Sequence, residues 1–400
     1  MENIKDKRKC TGCYACANIC PKRCIELKAD NQGFKYPEID KEKCIQCNLC
    51  NKVCPVKNIP EVSKNTQFYA IQNRNDNIRK LSTSGGVFYS LAKHMIDTKN
   101  YVCGVGFDEN GRVVHKIINN LNDLPDLLGS KYVQSDLKEI FKQIRQILKE
   151  GKKVLFVGTP CQVAGLQNFI GNELKQNLLL VDLVCYGVPS PKVYESWKKQ
   201  IEKKYKKKVD RVFFRDKSFG FAAPNVKISF EDGKTKEQTM LIKSYMKLFM
   251  NNLSIRPSCT DCKFKGVNRT SDITLGDCWS IGKFEKKMDD NNGTTTVLIH
   301  TNKGKNAIND INLDIKIIEI NEKEAIKYDG KKILHSAPYN NNKEQYFKAM
   351  NEFGYMYAQN KYAKDTLKEV LITILKRTIL KNKFFQRILK KVRDNKLNGR

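Results

Sequence analysis

Apolar residues in this chain come in short blocks cut by polar turns, and the blocks alternate between continuous runs and a period near 3.6 residues. Val154-Leu155-Phe156-Val157 and Leu178-Leu179-Leu180-Val181-Asp182-Leu183-Val184 have the length and continuity of buried strands. Between them, the turn Gly158-Thr159-Pro160-Cys161 opens a helix expected through Phe169. Such a strand-helix-strand unit with a parallel crossover carries both strand ends to one sheet edge, where open α/β sheets bind ligands. Cys161 and Cys185 are therefore expected side by side at a ligand edge.

The same reading extends along the chain. Phe68 to Ile71 predicts a first strand, and Leu81-Ser82-Thr83-Ser84-Gly85-Gly86 opens an amphipathic helix through Met95. Tyr101 to Phe107 is a glycine-interrupted strand. Leu137, Ile140, Phe141, Ile144, Ile147 and Leu148 share one helical face, ended by Gly151. A helix follows Pro191, with a Lys-rich end at Lys203 to Lys208. Val209–Phe214, Asn225–Phe230 and Gln238–Ile242 predict a short β region, with Arg215-Asp216-Lys217 read as a solvated triplet at its first turn.

The expected architecture is α+β to α/β, with a mixed sheet in its main domain. Residues 1–60 form one domain, a polar linker covers 56–66, the main domain runs 66–340, and 341–400 is a basic helical tail. In that tail Leu367, Val370, Leu371, Ile374 and Leu375 share a face, and Phe384, Phe385, Ile388, Leu389 and Val392 continue it among lysines and arginines. A cationic amphipathic helix of this kind docks on its own domain, on a partner or on a membrane surface.

Composition sharpens the picture in two places. Fifteen cysteines in 400 residues, with no apolar signal segment after the basic start and no run of roughly 20 apolar residues, point to a cytoplasmic protein whose thiols bind metal. The formal charge of +30 implies acidic partners, and peripheral contact with the inner membrane face through the tail is compatible with it. The excess is spread along a Lys- and Asn-rich chain, as a nucleotide-biased genome would produce, so nucleic acid is not the expected partner.

The strongest chemical signal is a duplicated CxxCxxCxxxCP. Cys10, Cys13, Cys16 and Cys20 precede Pro21, and Cys44, Cys47, Cys50 and Cys54 precede Pro55. In this spacing three thiolates wrap one cubane and the fourth crosses to the other. Cys10, Cys13, Cys16 and Cys54 are thus expected on one 4Fe-4S cluster, and Cys44, Cys47, Cys50 and Cys20 on the second, so that residues 1–60 resemble a bacterial-type two-cluster ferredoxin domain. Cys24 and Cys103 fall outside the pattern and are expected as buried residues.

Cys259 and Cys262 form a further CxxC, which with Cys161 and Cys185 makes four sulfur ligands. Iron–sulfur cluster, zinc ion and unconnected buried thiols all remain open for them, with Cys278 as the substitute should Cys185 prove remote. Ser84-Gly85-Gly86 exposes backbone N–H groups suited to a phosphate, or simply starts a helix. Lys131, in a loop before a helix, meets a phosphate or water. Asp277, ending a strand, holds a ring or ribose or caps a turn. His94, His115, His300 and His335 show no ligand spacing, and no general acid is assigned.

Taken in order, Ser82-Thr83-Ser84-Gly85-Gly86, Gly129-Ser130-Lys131-Tyr132, Gly158-Thr159-Pro160-Cys161-Gln162, Cys185 before Gly187-Val188-Pro189-Ser190-Pro191, Cys259/Cys262 and Ser271-Asp272-Ile273 through Gly276-Asp277 resemble the coenzyme F420 hydrogenase/dehydrogenase β-subunit family. The resemblance implies an α/β flavoprotein domain holding FAD beside a third 4Fe-4S cluster on Cys161, Cys185, Cys259 and Cys262. It also implies flavin contacts at Ser84, Gly85, Gly86, Lys131, Gly158, Thr159, Gly276 and Asp277. Two departures stand out: Tyr186 follows Cys185 where bacterial relatives often show histidine, and Cys278 replaces an aromatic residue.

The function implied is an iron–sulfur flavoprotein oxidoreductase. Clusters exchange single electrons and a flavin passes one or two, so the set links a one-electron donor, such as ferredoxin or a partner subunit, to a two-electron acceptor. Two other readings are an electron-relay subunit with no substrate site and a metal-stabilised binder of nucleic acid or anionic membrane. The resemblance leaves the acceptor and any use of a deazaflavin coenzyme open.

Overall fold

The computed structural model describes residues 6–367 and 369–371. Near the N terminus, helices Ala15–Ile19 and Leu49–Lys52 each follow one cysteine loop, and β1 (Ile25–Ala29) pairs antiparallel with β2 (Lys35–Ile39). The sequence repeat is also a backbone repeat. Gly12 and Tyr14 have φ of +67° and +66°, and their counterparts Gln46 and Asn48 have +54° and +62°. Left-handed residues at matching places fold both CxxCxxC loops back on themselves.

The strands that follow are β3 (Gln67–Asn73), β4 (Tyr101–Phe107), β5 (Val113–Ile118), β6 (Val154–Gly158), β7 (Leu178–Leu183), β8 (Val209–Asp216), β9 (Asn225–Phe230), β10 (Thr235–Glu237), β11 (Ile273–Asp277), β12 (Thr295–Ile299) and β13 (Ile315–Glu319). Eight of them make one mixed sheet in the order β13-β3-β12-β11-β7-β6-β4-β5. β4, β6, β7 and β11 run parallel, and β12 is antiparallel to both β11 and β3. The chain therefore has the expected mixed α/β architecture.

Alternation along the strands sorts side chains to two faces. Leu155 and Val157 of β6 join Val87, Leu91 and Ile308 in one core, while Val154 and Phe156 join Phe141, Ile144, Val163 and Leu166 in another. The second core also takes Cys13, Tyr14 and Ala15, which seats the N-terminal cysteine loop against the helix that follows β6.

β8, β9 and β10 form a separate antiparallel sheet. Its third strand is Thr235–Glu237 rather than Gln238–Ile242. The Thr239 hydroxyl caps a helix at the Ile242 amide, and Met240–Met250 is helical, so the apolar run there is the buried face of a helix. Trp197, Phe214, Ile228 and Tyr245 are buried in this region with Phe34 of the N-terminal part. Tyr346, Phe347, Met350 and Tyr355, from helices Lys343–Phe353 and Tyr355–Tyr362, are buried in the same core. Most of the amphipathic pattern expected from Leu367 onward lies outside the described residues. Among the described residues no helix is long and apolar enough to cross a membrane.

Candidate electron-transfer site

The motif cysteines gather as two neighbouring groups. Burial pushes the Cys13 and Cys16 thiols well up, and Cys10 and Cys54 lie close enough to add to that shift. Cys16, Cys20, Cys24 and Ile25 form a buried cluster against which Cys44 and Cys50 pack. Cys47 is exposed, and beside it Ile45 has 57% of its surface open. Cys24 is buried as expected, but its Sγ stands 3.3 Å from that of Cys20, directly against a motif sulfur.

Parallel pairing of β6 with β7, in register Val154 to Leu178, brings Cys161 and the chain beyond Leu183 to one edge. Residues 188–190 then run antiparallel to 254–256. Ser190 N donates to Ser254 O at 2.8 Å and Arg256 N to Val188 O at 2.9 Å, after which a turn closed by Cys259 N donating to Arg256 O at 3.0 Å begins. This ladder delivers Cys259 and Cys262 to the β6–β7 edge. Gly187 allows the approach, since a β-carbon there would stand 3.3 Å from Cys259 Cβ.

Cys161, Cys185, Cys259 and Cys262 consequently line one cavity, with Thr11, Thr159, Tyr186, Phe264, Lys265 and Arg269 among the other walls. Burial, then Cys262 and Cys259, push the Cys161 thiol up to about 12, and burial followed by Cys259 and Cys161 raises Cys185. Cys278 is not among them: it is fully buried beside Phe68 and Leu298. Among the described residues no three His, Cys, Asp or Glu side chains form a compact group around one ion; these sulfurs stand around a space.

Lys265 and Arg269 line that space, and Lys343 lies on the Cys259 side of it. Lys265 Nζ donates to the carbonyls of Cys185 and Lys332, at 2.5 and 2.6 Å. Arg269 Nη2 and Lys343 Nζ are buried with no hydrogen-bond partner. Arg269 also faces the buried Asp182 carboxylate at 3.8 Å, whereas Lys343 has no such partner, and a buried cation without counter-charge is costly, so a thiolate-held anionic cluster fits this donor set and its surroundings.

The residues expected to contact a flavin fall into two groups, with Lys131 apart from both. Ser84 Oγ bonds Thr294 O, and Gly85 N donates to Thr295 Oγ1 at 2.8 Å, which fastens this turn to the start of β12. Gly86, with φ of +89°, starts helix Val87–Asp97 without a side-chain cap. Lys217 Nζ donates to the carbonyls of Ser84, Arg79 and Asn292, each at 2.7 Å. Asp277, following Gly276 at the end of β11, accepts from Arg215 Nη1 at 2.8 Å. Gly276 admits Val184, whose Cγ2 would lie 2.7 Å from a β-carbon there.

Gly158 and Thr159 instead stand beside the cysteine cavity. Thr159 closes a capping box with Gln162, and its Oγ1 lies 3.3 Å from Cys161 Sγ. Lys131 donates at 2.7 and 2.9 Å to the carbonyls of Asp126 and Leu128, so its ammonium closes its own turn.

Arg215 and Lys217 are corrections to the solvated triplet expected from sequence. Arg215 is 9% exposed, with Trp279 4.8 Å and Phe221 5.8 Å from its guanidinium carbon, and its Nε and Nη2 have no hydrogen-bond partner. Burial, reinforced by Arg215, lowers Lys217 to about 7. Because Nη1 is taken by Asp277 and Tyr132, the free Nε/Nη2 edge presents two parallel donors, a geometry that fits a planar group with adjacent acceptors. A charged triplet at the end of a strand is the only local signal.

Comparison with known proteins places these features. Residues 9–58 match the 4Fe-4S dicluster domain, and residues 151–325 match the C-terminal part of the coenzyme F420 hydrogenase/dehydrogenase beta subunit. The resemblance drawn from the motifs is borne out. This chain is an iron–sulfur, electron-transferring protein of the oxidoreductase class. Among solved structures, a xenon-derivatised F420-reducing NiFe hydrogenase complex from Methanosarcina barkeri is similar at 16% identity and a TM-score of 0.43, over 74% of this iron–sulfur protein and 90% of that chain. No curated protein matches it.

Proposed function

We propose that this chain is an iron–sulfur flavoprotein oxidoreductase joining a one-electron donor to a two-electron acceptor. Cys10, Cys13, Cys16 and Cys54 would hold one 4Fe-4S cluster, Cys20, Cys44, Cys47 and Cys50 a second, and Cys161, Cys185, Cys259 and Cys262 a third. FAD would be held at the Ser84–Gly86 turn and Gly276-Asp277, with Arg215, Lys217 and Trp279 added to the contacts read from sequence. When bound, the clusters supply one-electron chemistry and the flavin converts it to two-electron chemistry.

The protein's own residues bury, orient and balance charge. Tyr186, Phe264 and Val188 wall the four-cysteine cavity against water, and Lys265 and Arg269 set positive charge beside it. Asp277 and Tyr132 hold the Arg215 guanidinium, leaving its free edge to bind acceptor atoms of a ring. The exposed loop at Ile45 and Cys47 is where an external donor would dock.

The observation that carries the proposal is the meeting of four cysteines from three distant segments around one cavity. Anaerobic purification with iron, sulfide and flavin quantified together tests it. About twelve irons and one flavin per chain are expected, and a count near eight would remove the third cluster. A second reading, an electron-relay subunit, is favoured by the matched family's description as a beta subunit. Dithionite-reduced protein that passes electrons to no small acceptor until a partner is added would support it.

A further inference from the structure

Arg256 is fully buried, and its hydrogen bonds go to neutral groups and one thiol. Nε donates to the Cys10 carbonyl at 2.8 Å, Nη1 to Gln134 Oε1 at 2.9 Å and Nη2 to the Lys35 carbonyl at 3.0 Å. The Tyr36 ring lies 4.3 Å and the Phe34 ring 5.5 Å from the guanidinium carbon. A cation stripped of water and packed among aromatic rings is costly unless negative charge faces it.

The geometry shows where that charge would come from. Nη2 stands 3.8 Å from Cys10 Sγ in the first motif loop. Three residues along the same chain, Cys259 donates its amide to the Arg256 carbonyl at 3.0 Å, so the residue also belongs to the turn carrying the CxxC of the cavity. Gly12 leaves room for it: a β-carbon there would stand 2.8 Å from Nη1. Lys343, 1% exposed, adds a second buried cation on the Cys259 side, and its Nζ has no hydrogen-bond partner. In the outer group, burial and the neighbouring thiols Cys20 and Cys44, rather than a buried arginine or lysine, govern the shift of the Cys24 thiol.

We infer that Arg256 is a cationic bridge between the Cys10/Cys13/Cys16/Cys54 set and the Cys161/Cys185/Cys259/Cys262 set, raising the reduction potential of both above that of the outer set. This rests on reading all three sets as cluster ligands. A positive charge at short range favours the more negative, reduced form of an iron–sulfur centre. Electrons entering at the exposed loop would therefore be drawn inward. Arg256 acts here as a positioning and potential-setting residue, since the electrons themselves stay on the metal centres.

The test is an anaerobic redox titration of the full-length protein, followed by electron paramagnetic resonance after iron has been counted. In Arg256→Gln with full iron, two of the three couples should move to lower potential, each by roughly tenfold in its reduction equilibrium, or about 59 mV for a one-electron couple. The third should stay. Arg256→Lys, which keeps the charge, should move them less, and Lys343→Met should lower one couple only. A merely structural tether would weaken the fold without this two-of-three pattern. Three unmoved couples, or three moved together, would overturn the bridge. Should Arg256→Gln fail to assemble, an unmoved couple in Lys343→Met overturns the electrostatic claim instead. A wild-type iron count near eight would sink the third-cluster reading itself, whereas about twelve irons with fixed potentials would sink only the bridge.

Discussion

Gly165 lies against Cys13: a β-carbon at position 165 would stand 3.0 Å from the Cys13 Sγ and 3.1 Å from its Cβ. Helix Pro160–Phe169, which carries Cys161 in its first turn, is thereby pressed onto the first motif loop, and Ala15 completes the contact. The close approach of this helix to the first motif loop needs position 165 to be without a side chain.

Replacing Gly165 with valine should therefore displace Cys13 rather than merely crowd a core. Overpacking of this kind costs about 1–3 kcal/mol. Iron assays should show loss of roughly four irons of twelve, with the outer group's spectrum intact. Unchanged iron and an unchanged unfolding midpoint would show that the helix can shift away from the loop.

The Cys20–Cys24 contact gives a second outcome. With Cys24 Sγ 3.3 Å from Cys20 Sγ, a spare thiol is already inside the outer group. Cys20→Ser should keep most of its iron, whereas Cys54→Ser, which has no such neighbour among the described residues, should lose about four irons. The double variant Cys20→Ser/Cys24→Ser should then match Cys54→Ser. Equal losses in both single variants would deny Cys24 this role.

What could be read from the chain and what could not divides along sequence distance. The eight motif cysteines are legible because their spacing is local and the backbone repeat of Gly12/Gln46 and Tyr14/Asn48 follows it. Cys161 and Cys185 are legible because two apolar runs fix a parallel crossover. The arrival of Cys259 depends on a short antiparallel ladder between residues 188 and 256, which no periodicity announces. Arg215 reads as solvated because its partner Asp277 is 62 residues away, and nothing in the sequence singles out Arg256, whose contacts lie in the N-terminal loop. Local pattern also misplaced Gln238–Ile242, where the capping hydroxyl of Thr239 outweighs a strand-like apolar run.

A pH dependence follows from His115, which is 5% exposed and stacked on Phe156 with ring centroids 5.4 Å apart. Burial lowers its pKa to about 4. Between pH 6.5 and 4 the unfolded chain therefore binds the proton and the folded one does not, so stability falls as pH drops through that window. The loss approaches about 3 kcal/mol at the acid end. His115→Phe should flatten the acid limb of a plot of denaturation midpoint against pH while leaving the value at pH 8 nearly unchanged. An acid limb identical to wild type would place the charge elsewhere, with His300, lowered by burial to about 3, as the next group to replace.

The Asp277–Arg215 pair yields the prediction closest to the flavin. Asp277 is 20% exposed and Arg215 only 9%, so removing the carboxylate leaves a largely desolvated guanidinium without its counter-charge. Breaking a buried pair in this way costs about 3–5 kcal/mol, and the partial exposure of Asp277 puts this one near the lower figure. Asp277→Asn preserves shape and should free Arg215 to turn its fork away from the Trp279 ring, lowering flavin retained on purification by about tenfold or more while leaving iron unchanged. Arg215→Met should lose flavin similarly but cost less stability, because a flexible apolar side chain still fills the space beside Phe221 and Trp279. Flavin-to-iron ratios and chemical denaturation of both variants separate the two effects. If Asp277→Asn is destabilised yet keeps its full flavin, the pair is a structural clasp and the ring binds elsewhere on this edge.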